Sequence, residues 1–219
     1  MEEYKITNDI RPRGLDSAYV IGPFDKAKEA LESEGYEVIG LKENAKLRIE
    51  HGANSFVSRN GNWTREGVLY LPDKRILLVS NNPIMQNAKY ATACHRKREK
   101  FYLTDEQVES SLEGSIDLRG KPIPTNRFAE DTRTAQIFGE VVGDYGLFLK
   151  EARIEEMPIW LDFTEDKAFV RPVWFDNLDN GSLLDGNVGG LVFGGRMRGV
   201  KGGEATQKIS RSYTSFTNK

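Results

Sequence analysis

Phe169 to Lys201 reads FVRPVWFDNLDNGSLLDGNVGGLVFGGRMRGVK, and it interleaves two kinds of position. One kind has the character of residues fixed by packing: Arg171, Pro172, Trp174, Leu178, Ser182, Leu184, Gly186, Leu191, Gly195, Arg196, Arg198, Gly199 and Val200. The other is small, polar or arbitrary: Asp176, Asn177, Asp179, Asn180, Gly181, Leu183, Asp185, Gly189, Gly190, Val192, Phe193 and Gly194. From Asp176 to Gly195 there is no Lys, Glu, Gln, Met or Trp, in a chain that is 29% charged. A codon rule would produce that gap. An AAY asparagine codon whose adenines are randomised becomes NNY, which encodes Asn, Asp, Gly, Ser, Leu, Val and Phe but none of the five missing residues.

At these residues the chain resembles the variable proteins of diversity-generating retroelements. The frame Arg171-Pro172-Val173-Trp174-Phe175, then Leu178 to Gly186, then Gly195 to Val200 is similar to the variable region of their C-type-lectin-like domain, over roughly a sixth of the chain. The frame is followed by Lys201 to Lys219, so the variable region does not close the chain. The resemblance implies an α+β, C-type-lectin-like fold of two or more helices and irregular antiparallel strands. On that reading residues 1–219 are one such domain with N-terminal elaborations, and 169–201 is its variable, ligand-binding region. It also implies a binding protein and no enzyme: the arbitrary set would contact an unknown protein or surface ligand, and the fixed set would be scaffold. Asn187 and Val188 belong to neither set by this frame. The lectin-like fold has enzymatic relatives of the formylglycine-generating type that use paired cysteines, and this chain has one cysteine. Calcium-dependent sugar binders carry Glu-Pro-Asn, Gln-Pro-Asp or Trp-Asn-Asp, none of which occurs here. No cofactor or metal is expected.

Composition sets wider bounds. The chain has 219 residues, is 38% hydrophobic and carries a net charge of −2, so no global attraction to nucleic acid or anionic membrane is expected. No apolar run suits a transmembrane helix or a signal peptide. A lone Cys94 excludes an internal disulfide and a multi-cysteine zinc site. Synthesis in a reducing cytoplasm is expected, with later display on a virion or cell surface left open.

Along the chain, residues 1–16 read as an extended arm with a turn at Arg11 to Gly14. Ala18–Gly22 reads as a strand, Asp25–Glu34 as a helix closed by Gly35, and Tyr36–Leu41 as a strand. Asn60 to Asn62 is a turn. Gly67–Leu71 and Arg75–Ser80 pair across Pro72-Asp73-Lys74. Pro83–Phe101 reads as helical, and Thr104 to Gln107 matches a capping box that opens a helix to Glu113. Lys121 to Pro124 is a connector, Phe128–Phe138 and Tyr145–Ala152 are helices, and Met157–Phe163 and Ala168–Phe175 are strands.

Other chemistry has competing explanations. Glycine pairs at 189–190, 194–195 and 202–203 could cradle phosphate, but no helix or Lys-Ser/Thr follows, and loop and strand tolerating positive φ explain them better and compete with the variable-surface reading. The run His95 to Lys100 could contact nucleic-acid phosphates beside Tyr90, Phe101 and Tyr102; consecutive charges on a helix more simply form a solvated face. Cys94 beside His95 points about 100° away from it on a helix, which suits a buried thiol better than a nucleophile. Glu155, Glu156, Asp162, Glu165 and Asp166 leave open a carboxylate-dependent enzyme on another α+β fold. Arg196 and Arg198 could contact ligand but read better as scaffold, bonding loop carbonyls or carboxylates. Trp174, Leu178, Leu184, Leu191 and Val200 should face the core, and the arbitrary set should share one exposed face, because a packed core feels every methylene.

Overall fold

The computed structural model describes residues 4–10, 16–186, 191–192 and 194–201; the turn expected at residues 11–14 lies outside them, as do residues 187–190, Phe193 and the tail from 202. Strands Thr7–Ile10 (β1) and Asp16–Gly22 (β2) pair antiparallel. Pro23 precedes helix Phe24–Ser33 (α1), and Gly35 leaves it at φ 75°, the left-handed exit that glycine adopts without a Cβ penalty. The strand expected over Tyr36–Leu41 shrinks to Glu37–Val38 (β3), and Leu41–His51 (α2) is a helix. Its start is fixed by Glu43, whose carboxylate accepts from the Gly40 N–H at 3.1 Å. The buried positions Leu41, Asn44, Ala45 and Arg48 keep helical spacing, but two of them are polar, which hides the stripe from a hydrophobicity reading.

Phe56–Arg59 (α3) leads into Asn62–Tyr70 (β4), which pairs with Ile76–Val79 (β5). The expected turn between them has Lys74 at φ 70°. The single helix expected from Pro83 to Phe101 is broken at Asn87 into Pro83–Gln86 (α4) and Ala88–Arg96 (α5), with Phe101–Tyr102 (β6) a strand. The capping box of Thr104 and Gln107 opens Asp105–Ser111 (α6). Ile116–Asp117 (β7), Ile123–Pro124 (β8), Thr132–Phe138 (α7), Val142–Glu151 (α8), Glu156–Met157 (β9) and Ile159–Trp160 (β10) follow. The α7 helix starts at Thr132 rather than Phe128 because Asp131 caps it, accepting from the Arg133 N–H at 2.9 Å. The organising stretch supplies Phe169–Phe175 (β11), Leu184–Asp185 (β12) and Gly195–Lys201 (β13).

These three strands enter one sheet, ordered β1-β2-β13-β4-β11-β12-β10, with β3, β5, β6 and β7 attached to its sides. The architecture is α+β. Alternation along β11 divides the core. Phe169, Val173 and Phe175 join Val68, Tyr70 and Leu184 under α2, α7 and α8, with Phe128, Phe138, Tyr145 and Leu149. Val170 and Trp174 face the other way, towards Trp63, Met197, Leu191 and the apolar sides of α1 and α5. Val200 packs with Ile39, Leu47 and Val57. Leu178, Leu184, Leu191 and Val200 are all buried, as the interleaving required.

Candidate ligand-binding surface

The loop between β11 and β12 is held from beneath. Arg48 of α2 is fully buried. Its guanidinium donates to Ser182 Oγ at 2.6 Å, to the Asp176 carbonyl at 2.7 Å and to the Phe175 carbonyl at 3.4 Å. It also lies 4.1 Å over the Phe175 ring. Tyr145 Oη sits 2.6 Å from Ser182 Oγ and accepts from Arg48 at 3.2 Å. Backbone bonds complete the frame: Asp176 N–H to the Leu183 carbonyl at 2.8 Å, Ser182 N–H to Asn177 at 3.0 Å, Leu184 N–H to Pro158 at 3.0 Å and Gly186 N–H to Trp160 at 2.8 Å. The Gly186 carbonyl accepts from Tyr70 Oη at 2.9 Å. Charge-assisted bonds of this kind, in a water-poor site, are the strong ones. None depends on a side chain of the arbitrary set.

The described members of the arbitrary set are less exposed than the open face expected of them. Asp179, Asn180 and Gly194 are exposed, and Asp176, Asn177, Gly181, Asp185 and Val192 are half-buried. Gly189, Gly190 and Phe193 lie outside the described residues. Asp176, Asn177 and Asn180 form a local set: Asn177 Oδ1 caps the turn at Leu178–Asn180 by accepting from the Asn180 N–H at 3.0 Å, and the Asp176 carboxylate accepts from Asn180 Nδ2 at 2.7 Å. Leu183 requires a correction. It was expected at the surface, and it is 3% exposed. In-out alternation needs extended backbone, whereas Gly181 and Ser182 stand at φ 69° and 58°. That double left-handed step turns Ser182, Leu183 and Leu184 inward in succession.

Gly186, Gly195 and Gly194 divide in the same way, but Gly181 of the arbitrary set does not, since it stands at φ 69° and an added Cβ would lie 3.0 Å from Pro158 and 3.2 Å from the Glu156 carbonyl. An added Cβ at Gly195 would lie 2.1 Å from the Trp63 ring, and at Gly186 it would lie 2.6 Å from Val68; the backbone packs directly on core side chains there. At Gly194 it would meet only Ile21, at 3.5 Å. Trp174 is half-buried and packs edge-on to Trp63 at 5.7 Å. Arg196 donates to the Gly61 carbonyl at 3.1 Å and lies 5.0 Å over the Phe56 ring. Arg198 is fully buried and donates to Ser17 Oγ at 2.6 Å.

The remaining candidates take structural places. Cys94 is buried. Arg96, Lys97, Arg98 and Glu99 are exposed, and Lys100 turns inward. Lys100 bridges Asp162 at 3.2 Å and Glu165 at 2.8 Å, while Arg171 reaches Asp162 at 3.1 Å. Burial opposes ionisation of Asp162, but bonds from the Phe163 N–H, Arg171 and Lys100 overcome it and hold the carboxyl below the usual range. Burial lowers His95, helped by the Arg171 charge. Asp162 and Glu165 are thus neutralised at a sheet edge, and Glu155, Glu156 and Asp166 are exposed. Among the described residues no group of three or more His, Cys, Asp or Glu could hold a metal ion, and no helix is long and apolar enough to cross a membrane.

Arg48 and Tyr145 are the site's supporting residues that sequence reading passed over. Arg48 lies 128 positions before the Asp176 carbonyl that it holds, and nothing local marks it. The one available signal is an arginine on the apolar side of a helix pattern.

No family model and no curated protein matches the chain. A solved structure described as "Accommodation of massive sequence variation in Nanoarchaeota by the C-type lectin fold" aligns with a TM-score of 0.60 over 86% of this chain and 97% of that one, at 18% identity. The likeness covers far more of the chain than the frame at Arg171 to Val200. The chain has a C-type lectin fold.

Proposed function

We propose that the chain is a ligand-binding protein that displays retroelement-diversified side chains on a fixed lectin-fold frame. Asp176, Asn177, Asp179, Asn180, Gly181, Asp185, Gly189, Gly190, Val192, Phe193 and Gly194 form its contact set, and Leu183 drops out as a packing residue. The observation that carries this reading is the division of labour at the loop. Most of its frame is held by Arg48, Tyr145, Ser182 and main-chain atoms, so side chains at most arbitrary positions can change while the backbone stays; Asn177, which caps the turn, and Gly181, at φ 69°, are the constrained members. A frame already ordered before binding also loses less entropy when it meets a ligand. The ligand would be a protein or another surface-borne molecule, and no catalytic step is assigned.

Serine is NNY-encoded and suits a test. A variant with Ser at Asp176, Asp179, Asn180, Asp185 and Val192 together is expected to keep a cooperative denaturation transition, since none of the five is buried and surface sites typically shift stability within about 0.5 kcal/mol each. Ser at Leu178, Leu184 and Leu191 together should abolish it. Equal damage from both sets would reject the fixed-frame reading. The diversification itself predicts a neighbouring reverse transcriptase gene and a near-repeat of codons 170–200 with AAY at the arbitrary positions; a neighbourhood without either leaves a lectin-fold protein of ordinary sequence.

A further inference from the structure

Gly194 of the arbitrary set lies against Ile21 of β2. A Cβ added at Gly194 would stand 3.5 Å from Ile21 Cγ2, an ordinary contact distance, and would meet nothing else within 4 Å. On β2, Ala18 and Val20 enter the core with Phe24 and Met197, so Tyr19 and Ile21 project to the other side of the sheet. That side is covered at Tyr19. The Phe56 ring stacks on it at 5.0 Å, and the Arg196 and Arg198 guanidinium groups lie 5.4 and 5.8 Å over it. The cover thins towards Ile21, which is 52% exposed, and Phe56 is itself 40% exposed. Arg196 links the two: it pairs with Ile21 across β2 and β13, and its guanidinium lies 5.0 Å over the Phe56 ring. It also donates to the Gly61 carbonyl at 3.1 Å, and a Cβ added at Gly61 would stand 2.7 Å from Asp176 Oδ1. The exposed apolar pair therefore adjoins both arbitrary segments, one at Gly194 and the other at Asp176. Strand geometry favours a β-branched residue at 21, but threonine would serve it as well. It does not account for aliphatic methyls left in water beside a position free to vary.

We infer that Ile21 is the fixed floor of a ligand subsite whose opening residue 194 sets, and that with glycine at 194 this subsite takes an aliphatic side chain of a protein partner. This rests on the ligand-binding reading above. Ile21 lies outside the diversified stretch, so every variant would carry it. Residue 194 lies inside that stretch, and any side chain there would start in contact with Ile21. NNY codons supply both states. Gly leaves the methyls open, and Leu, Ile, Val or Phe would cover them. The chemistry of the floor selects the occupant. An isoleucine offers a sugar hydroxyl or a charged group no hydrogen bond, whereas a second apolar group gains by displacing water from it. Exposed apolar surface continuous with a binding face is also where partners are held.

Capped glycine pentapeptides with one central Leu, Ser or Glu, and methyl glucoside, titrated into the full chain, test this through the Ile21 methyl resonances and the Gly194 amide. The Leu peptide is expected to shift both saturably, and the other three probes to leave them in place. Gly194→Leu covers the floor and Ile21→Thr removes part of it. Each should weaken Leu-peptide binding by about 3- to 30-fold, read at the Ile21 methyls in the first and at the Gly194 amide in the second. Both positions are exposed and Gly194 is not left-handed, so the variants should fold. An unchanged amide spectrum elsewhere checks that, and either variant alone suffices for the test. Silent Ile21 methyls, an equal response to the Ser peptide, the Glu peptide or the glucoside, or unchanged affinity in a folded variant overturns the inference. If the Leu peptide shifts only Asp176 to Asn180, the subsite is wrong while a ligand-binding loop still stands. If the serine set of the preceding section unfolds the chain while the Ile21 subsite binds normally, the diversified-frame reading falls instead.

Discussion

The two faces of the β10–β12–β11 ribbon share one backbone and one register, yet they tolerate change differently. On the inner face Phe175, Leu184 and Ile159 pack against Tyr145, Phe138 and Leu149, and Arg48 covers the Phe175 ring. On the outer face Trp174, Asp185 and Trp160 grade from half-buried to exposed. Adjacent residues therefore differ by kilocalories in what a substitution costs, since Leu→Ala in a core costs about 2–5 kcal/mol and an exposed change about 0.5 or less. The comparison teaches how a chain can alternate fixed and free positions at single-residue spacing. The pleat does the sorting, and the inner face holds the outer one in place.

Arg48→Ala should break that arrangement most severely. It removes the donor to Ser182 and to the carbonyls of Phe175 and Asp176, and it opens a cavity against Phe175 and Tyr145. Buried groups left unpaired, together with the cavity, should cost about 3–5 kcal/mol. Denaturant unfolding would measure the loss. Amide exchange should rise first in Asp176 to Ser182, and uniform acceleration across the sheet would show that Arg48 has no special hold on the loop.

A neighbouring pair sharpens the contrast with the smallest possible change. Gly195→Ala drives a methyl against the buried Trp63 ring, whereas Gly194→Ala meets only Ile21 at contact distance. Overpacking costs about 1–3 kcal/mol, so Gly195→Ala should lower stability by that amount and Gly194→Ala by no more than about 0.5 kcal/mol. Similar unfolding midpoints for the two would mean that fixed and arbitrary glycines are not physically distinct.

Much of this was legible in the sequence. Period-two strands, the Thr104 capping box and the hairpin across Asp73 are local, and they were read from local residues. The interleaved frame gave the inward places of Leu178, Leu184, Leu191 and Val200; the pleat turns Leu184 and Val200 inward, whereas Leu178 and Leu191 enter the core from turns. The failures share one cause. The α2 helix was missed because Asn44 and Arg48 interrupt its apolar stripe, and their burial makes sense only beside Asn62 and Ser182, far along the chain. Leu183 was misplaced because a left-handed serine at 182 inverted the alternation, and Ser182 is held there by Arg48 and Tyr145. Tertiary partners override local pattern where a buried polar group does the holding.

The smallest effect concerns the charged edge beside the ribbon. Asp162 sits two residues beyond Trp160 and is held by Arg171 and Lys100, and its backbone N–H donates to Tyr70 Oη at 2.9 Å, the hydroxyl that also donates to Gly186. This edge hangs on a carboxylate, whereas the loop hangs on an arginine, two hydroxyls and main-chain carbonyls, so the edge's hold should depend on acid pH. Asp162 has a folded pKa below its unfolded one. A depressed carboxylate contributes stability that is fully present above the unfolded pKa, near about 3.9, and that is lost as pH falls through the folded value. Wild type should therefore exceed Asp162→Asn by roughly 1 kcal/mol or less at neutral pH, a partly exposed pair being worth little. The difference should persist down to about pH 5 and close progressively below the unfolded pKa, as Asp162 takes up its proton. Unfolding free energies of both proteins at closely spaced acidic pH values would check it. A constant offset at every pH would mean that Asp162 acts through its shape and backbone position rather than through its charge.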